Sequence, residues 1–150
     1  MGSHRARAAG ASAQTAQRLR DNFRDARYPA VVTVWLFGSH GESRAHAESD
    51  VDVGVLLDRR LVPVASQRFD LRVRLTSDLM HSLGNNNVDL LVLNDAPPLL
   101  ARRIIRTGTE LFCRDRDLDR DFRRDVQIRA ADLAPYLARY RRMILDALGG

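Results

Sequence analysis

Two carboxylates one residue apart, Asp50 and Asp52, open an apolar run that reaches Leu57. The run reads as a β-strand, and alternation along a strand puts both acids on one face with Val51 and Val53 on the other. Two acids so placed repel each other unless a cation lies between them. Oxygen-only ligands of this kind suit Mg²⁺ or Mn²⁺ far better than zinc. A third acid, Asp89, interrupts a second apolar run, Val88 to Leu93, which reads as a central strand covered on both faces. An Asp inside such a strand is costly unless it is paired or metal-bound. If this strand lies beside Asp50–Leu57, the three acids meet at one edge of the sheet. Three carboxylates can hold two metal ions about 3.5–4 Å apart, an arrangement that serves phosphoryl displacement. Pairing of Asp89 with one of the many arginines is the other reading of that residue.

Upstream, the β-formers Val31 to Phe37 end at Gly38-Ser39. Gly38 lets a backbone approach a ligand closely, and the Ser39 hydroxyl can donate to a phosphate oxygen. The connection from Ser39 to Ser49 should begin as a helix, whose free N–H groups and partial positive charge favour a phosphate. The same pair also reads as a plain strand-to-helix turn with Ser39 as its N-cap.

Other elements must position these groups. Met1 to Gly10 reads as a frayed basic end, and Ala11 to Tyr28 as a helix with Leu19 and Phe23 on one side, stopped by Pro29. Ala65 to Leu83 reads as an amphipathic helix with Phe69, Leu71, Leu75, Leu79, Met80 and Leu83 inward. Arg68, Arg72 and Arg74 are assigned to its solvent side, and Gly84 to its C-cap. Pro97 and Pro98 suit the first turn of a helix over Leu99–Thr107, followed by a short strand over Thr109–Cys113. From Asp115 a long charged helix runs towards Leu148, with a kink expected near Pro135. Phe122, Val126, Leu133, Leu137, Ile144 and Leu148 give it an apolar stripe, and Arg139, Arg141 and Arg142 a basic cluster on a solvated face.

A length of 150 residues fits one domain. It divides into a basic end and helix (1–28), a core (29–114) and a C-terminal helical extension packed on the same domain (115–150). No apolar run approaches the length of a membrane span, and Met1 to Gln14 lacks the apolar middle of a signal peptide. The single Cys113 excludes an internal disulfide and a multi-cysteine zinc site, which fits a cytoplasmic protein. The formal charge is +5 with every basic residue an Arg, a balance that suits polyanions such as nucleotides.

Gly38-Ser39, ten residues, then Asp50-x-Asp52 resembles the signature of the minimal nucleotidyltransferases (MNT) of the DNA polymerase beta-like superfamily. Val88-Asp89-Leu90-Leu91-Val92-Leu93-Asn94 resembles that family's third-carboxylate strand. Ala96-Pro97-Pro98-Leu99-Leu100 through Gly108-Thr109-Glu110-Leu111-Phe112 resembles the helix and strand that follow it. The likeness runs from about Val31 to the C-terminus. Glu42 and Ser43 depart from it, standing where the family has a basic residue and a glycine.

The resemblance implies an α/β (α+β) nucleotidyltransferase fold, a small mixed sheet with helices mainly on one side and a long C-terminal helix. It implies that Gly38, Ser39 and Ser49 bind nucleotide, and that Asp50, Asp52 and Asp89 are catalytic and hold Mg²⁺ in a two-metal site, with Mn²⁺ an alternative. ATP is the implied donor, and the implied partner is an HEPN-domain ribonuclease toxin that receives AMP on a tyrosine. Direct nucleic-acid binding is not expected. Two other functions fit the same residues: a non-catalytic antitoxin that acts by occlusion, and a transferase for a small-molecule hydroxyl such as that of an aminoglycoside.

Overall fold

The computed structural model describes residues 2–38 and 50–149. Four strands form one sheet: β1 (Val31–Phe37), β2 (Val51–Leu57), β3 (Val88–Val92) and β4 (Thr109–Cys113). Their order is β3-β2-β1-β4, with β1 antiparallel to β2 and β4, and β2 parallel to β3. The helices among the described residues are α1 (Gly2–Arg24), α2 (Ala65–Leu83), α3 (Pro98–Thr107) and α4 (Arg116–Gly149). The helical run at the N-terminus thus starts at Gly2, ahead of the expected Ala11, and ends at Arg24, ahead of Pro29.

Alternation along the strands builds two cores. Val51, Val53, Val55 and Leu57 face one way and pack with Leu19 and Phe23 of α1 and Leu75 and Leu79 of α2. Trp35, Leu56 and Leu93 face the other way and pack with Ala101 and Ile104 of α3 and Val126 of α4. Helices therefore cover both faces of the sheet, which corrects the expectation of helices mainly on one side. The physical reason is that β1 and β2 are apolar on both faces, and each face needs a cover.

Strand β3 is an edge strand, not the central one its apolar run suggested. That run reflects cover on its two faces, by α2 on one side and by the α3 side on the other, and carries no record of lateral neighbours. Asn94 prolongs the pairing of β2 beyond the end of β3. Its side-chain amide accepts from Leu57 N and donates to Leu57 O, each at 2.8 Å.

Helix α2 spans the expected residues and ends at Gly84, whose φ of 61° is the left-handed C-cap geometry. Three assignments on it are corrected. Phe69 is exposed, whereas Arg68 is buried and makes a fork with Asp95, and Arg72 is half-buried. A long guanidinium stem can lie along the helix-sheet boundary and still reach a polar partner at the sheet's end.

Beyond the end of β2, Arg60 Nη2 stands 2.8 Å from Asp58 Oδ2 and, through that hydrogen bond, holds the carboxyl below its ordinary 3.8. A carboxyl depressed in the folded chain adds stability that is present above its unfolded value and lost as pH falls through its folded value. Asp58→Asn should therefore flatten the acid-side loss of stability below about pH 4, read as a smaller shift in the urea midpoint on acidification.

The first turns of α4 are pinned to β1 and β4 by a polar network. Thr33 Oγ1 donates to Asp119 Oδ1 at 2.9 Å, and Arg123 bridges Asp119 (2.8 Å) and Glu110 (3.0 Å) while lying over the Trp35 ring. Val126 and Ala130 are the last buried residues of this helix, and every described residue from Ala131 to Gly149 is exposed. The expectation that the whole segment 115–150 packs on the domain is corrected accordingly. The apolar stripe is continuous, but the domain beneath it ends at Ala130. The helix continues through Pro135, where the missing N–H falls on an exposed stretch.

Candidate active site

Strand β1 runs antiparallel to β2, so the end of β1 lies beside the beginning of β2, with Phe37 opposite Asp52. Strand β3 runs parallel to β2, with Asp52 opposite Asp89. Residues in register on paired strands project from the same face, so these two acids stand side by side on the face that carries α3 and α4. Asp50 precedes β2 and is exposed, two residues before Asp52. Gly38 follows β1 with φ 67°, and a Cβ added there would overlap Asp52 Oδ2. The glycine is thus required twice, by its left-handed backbone and by the carboxylate lying against it.

Four of the six expected site residues, Gly38, Asp50, Asp52 and Asp89, therefore gather at one end of the sheet. Ser39 and Ser49 lie outside the described residues, as do the loop positions Glu42 and Ser43. Asp89 departs from its expected setting: its side chain is 75% exposed because β3 is the sheet edge. An acid there pays little for its charge and is open to ligands from solvent.

One neighbour of this site is not evident from sequence patterning. Arg72 of α2 reaches round the open edge of β3, where Nε donates to Leu90 O at 2.7 Å and Nη2 stands 3.9 Å from Asp89 Oδ1. The edge carbonyl would otherwise face solvent unpaired. The one available signal is the four-residue spacing of Arg68 and Arg72, which puts both on one side of α2.

A second acidic group, Glu110, Cys113 and Asp119, brings its potential ligand atoms within 4.8 Å of one another. It lies at Thr33, back along β1 from the Gly38 end. Both of its carboxylates are already held by Arg116 or Arg123 at 2.8–3.0 Å. The group is an ion-pair network that fixes α4, and its charge is already balanced.

A left-handed glycine and three acids at the start of a parallel strand pair present only oxygen donors, a set that phosphoryl-transfer chemistry with hard cations can use. Comparison with known proteins agrees: residues 23–117 match the family described as polymerase beta, nucleotidyltransferase. The chain belongs to that family. Among its relatives is the protein adenylyltransferase MntA of Shewanella oneidensis, 31% identical over 99 residues. That match takes in 66% of this chain and 63% of the relative's length, so the chain spans under two thirds of the relative. Among solved structures, a toxin–antitoxin with AMP-PNP aligns with a TM-score of 0.56 at 24% identity, over 90% of this chain and 98% of that one. A tri-AMPylated Shewanella oneidensis HEPN toxin in complex with MNT antitoxin gives 0.51 at 23% identity, over 93% and 97%. These structural likenesses establish the shared nucleotidyltransferase fold. No helix among the described residues is long and apolar enough to cross a membrane.

Proposed function

We propose that this nucleotidyltransferase is a cytoplasmic antitoxin that transfers AMP from ATP to a tyrosine hydroxyl of a cognate HEPN-domain ribonuclease and so silences it. The observation that carries the reading is the register match of Asp52 with Asp89, with Gly38 turned in against Asp52. Asp50, Asp52 and Asp89 are the residues that would hold Mg²⁺ ions. Oxygen ligands alone, at an open end of the sheet, are the donor set that a hard cation takes. When bound, such ions supply electrostatic stabilisation to the phosphates and to the leaving pyrophosphate.

The chain's own groups do the rest. Gly38 leaves room for the Asp52 carboxylate at the end of β1, and with Ser39 and Ser49 it is assigned to the nucleotide. The tyrosine oxygen attacks the α-phosphorus, the bond from that phosphorus to the α,β-bridging oxygen breaks, and pyrophosphate leaves. Asp89 takes the tyrosine proton, with the Arg72 guanidinium 3.9 Å from Oδ1 at the edge of β3. The MntA relative is named for adenylyl transfer, and an HEPN toxin carrying AMP is described beside an MNT antitoxin of this fold. Both support the choice of donor and acceptor.

Gly38→Ala should lower transfer by about 10²-fold, since it strains the turn and pushes Asp52 out of place. A steady-state rate assay with a folded variant checks this.

The proposal is tested by replacing ATP with its α,β-methylene analogue, in which the bond that must break is no longer a phosphoanhydride. Protection of RNA from the HEPN protein should appear with Mg²⁺ and ATP and vanish with the analogue. Equal protection in both arms would make the chain a binding inhibitor and sink the transfer reading.

A further inference from the structure

The distal half of α4 carries an organised face that no other described residue buries. Leu133, Leu137, Tyr140 and Ile144 recur at alternating spacings of four and three, and prolong the line of Val126 and Ala130 that the domain buries. Tyr136, Met143 and Leu148 widen the line on both sides, and all three are exposed. Residues 131–149 extend roughly 28 Å at helical rise. Truncated at Ala130, the domain would lose none of the buried residues among those described. Where the stripe leaves the domain it borders a cavity of about 270 Å³, whose lining includes Leu56, Leu93, Phe122 and Val126. Asp125 and Arg129 of α4 also line it, so its mouth is partly charged.

The charges beside the stripe select among occupants. On a helical projection Arg139 and Arg141 fall on opposite borders of the stripe, at the level of Tyr140 in its middle. Pairing with a second copy about that middle would set Arg141 of one helix on the side of Arg139 of the other when parallel, and each arginine on the side of its equivalent when antiparallel, an unfavourable arrangement either way. A helix of another protein with carboxylates at that level would be attracted instead. A stripe broadened on both sides is wider than a two-stranded seam and suits insertion between two helices. Burial of its exposed side chains would cover on the order of 800 Å², the share of one partner in an interface of standard size.

We infer that the distal half of α4, with the adjoining cavity, is the docking surface for a helical partner protein whose apolar groove is bordered by carboxylates at the level of Arg139 and Arg141. For the partner's identity alone the inference rests on the proposed function, so the HEPN-domain protein is the probe.

The experiment measures binding of the purified HEPN-domain protein to the full chain by calorimetry without nucleotide, using Leu137→Asp/Ile144→Asp and, separately, Arg139→Glu/Arg141→Glu. The first variant should weaken the complex by about 100-fold or more. The second should weaken it less and reduce its salt dependence. Both should keep the thermal midpoint and the affinity for Mg²⁺-ATP of the parent chain, since neither touches the core or the carboxylates. Unchanged partner binding in the first variant would overturn the inference. So would sedimentation showing that the parent chain dimerises and that this variant loses only the dimer. A complex that depends on the stripe, yet yields no AMP transfer, would count against the proposed chemistry and leave the docking surface standing.

Discussion

Asp52→Asn will remove adenylyl transfer while the chain stays folded and still binds its partner. Asp52 is the one acid with neighbours from both adjacent strands, Phe37 of β1 and Asp89 of β3, and it lies directly under Gly38. Its loss should remove a ligand shared by the whole site. Replacing a group one shell out from a metal typically costs about 10–100-fold, and a direct ligand should cost more. Asparagine keeps the size and shape of the side chain, so the variant should still unfold in one cooperative transition. Single-turnover kinetics beside a melting curve separates the two effects. A variant that lost activity only by unfolding would contradict the assignment.

Trp35→Ala will have the largest effect on stability. Trp35 is 1% exposed, sits on a central strand, and has the Arg123 guanidinium 5.4 Å from its ring centroid. Truncation would open a cavity under α3 and α4 and leave Arg123 without its aromatic surface. Large-to-small changes of this kind cost about 3–5 kcal/mol. For a chain of this size that is a fall of roughly 10 °C in Tm. The partner core differs: Leu79→Ala on the α1-α2 face should cost about 2–5 kcal/mol and spare the anchoring of α4. Urea unfolding of both variants checks the ranking.

The limits of α2 and β4 are legible in the amino-acid sequence because each has one period and clear punctuation, Gly84 after the helix and Gly108 before the strand. The face on which Asp52 stands is legible because alternation along a strand is fixed by covalent geometry, whereas Asp50 lies just before β2, where that alternation does not reach. The edge position of β3 is not, since hydrogen-bonding neighbours leave no mark on an apolar run. Nor is the partnership of Thr33 with Asp119, 86 residues apart, or the turn of Arg68 towards Asp95. Such pairings depend on which elements meet, and amphipathicity only says which side of each is buried. The stripe on α4 is the converse case. Its pattern is clear in the sequence, but only the fold shows that the domain stops at Ala130 and leaves the rest uncovered.

The central claim is that the three acids at the start of β2 and β3 drive transfer of a nucleotide to a protein hydroxyl. Intact-mass measurement of the HEPN-domain protein tests it most directly, after incubation with this chain, Mg²⁺ and each nucleoside triphosphate in turn. A mass gain of one or more AMP groups with ATP, absent with Asp50→Asn/Asp52→Asn, is the expected result. An unmodified partner held in a stable complex, or a mass gain that survives the double substitution, would contradict it.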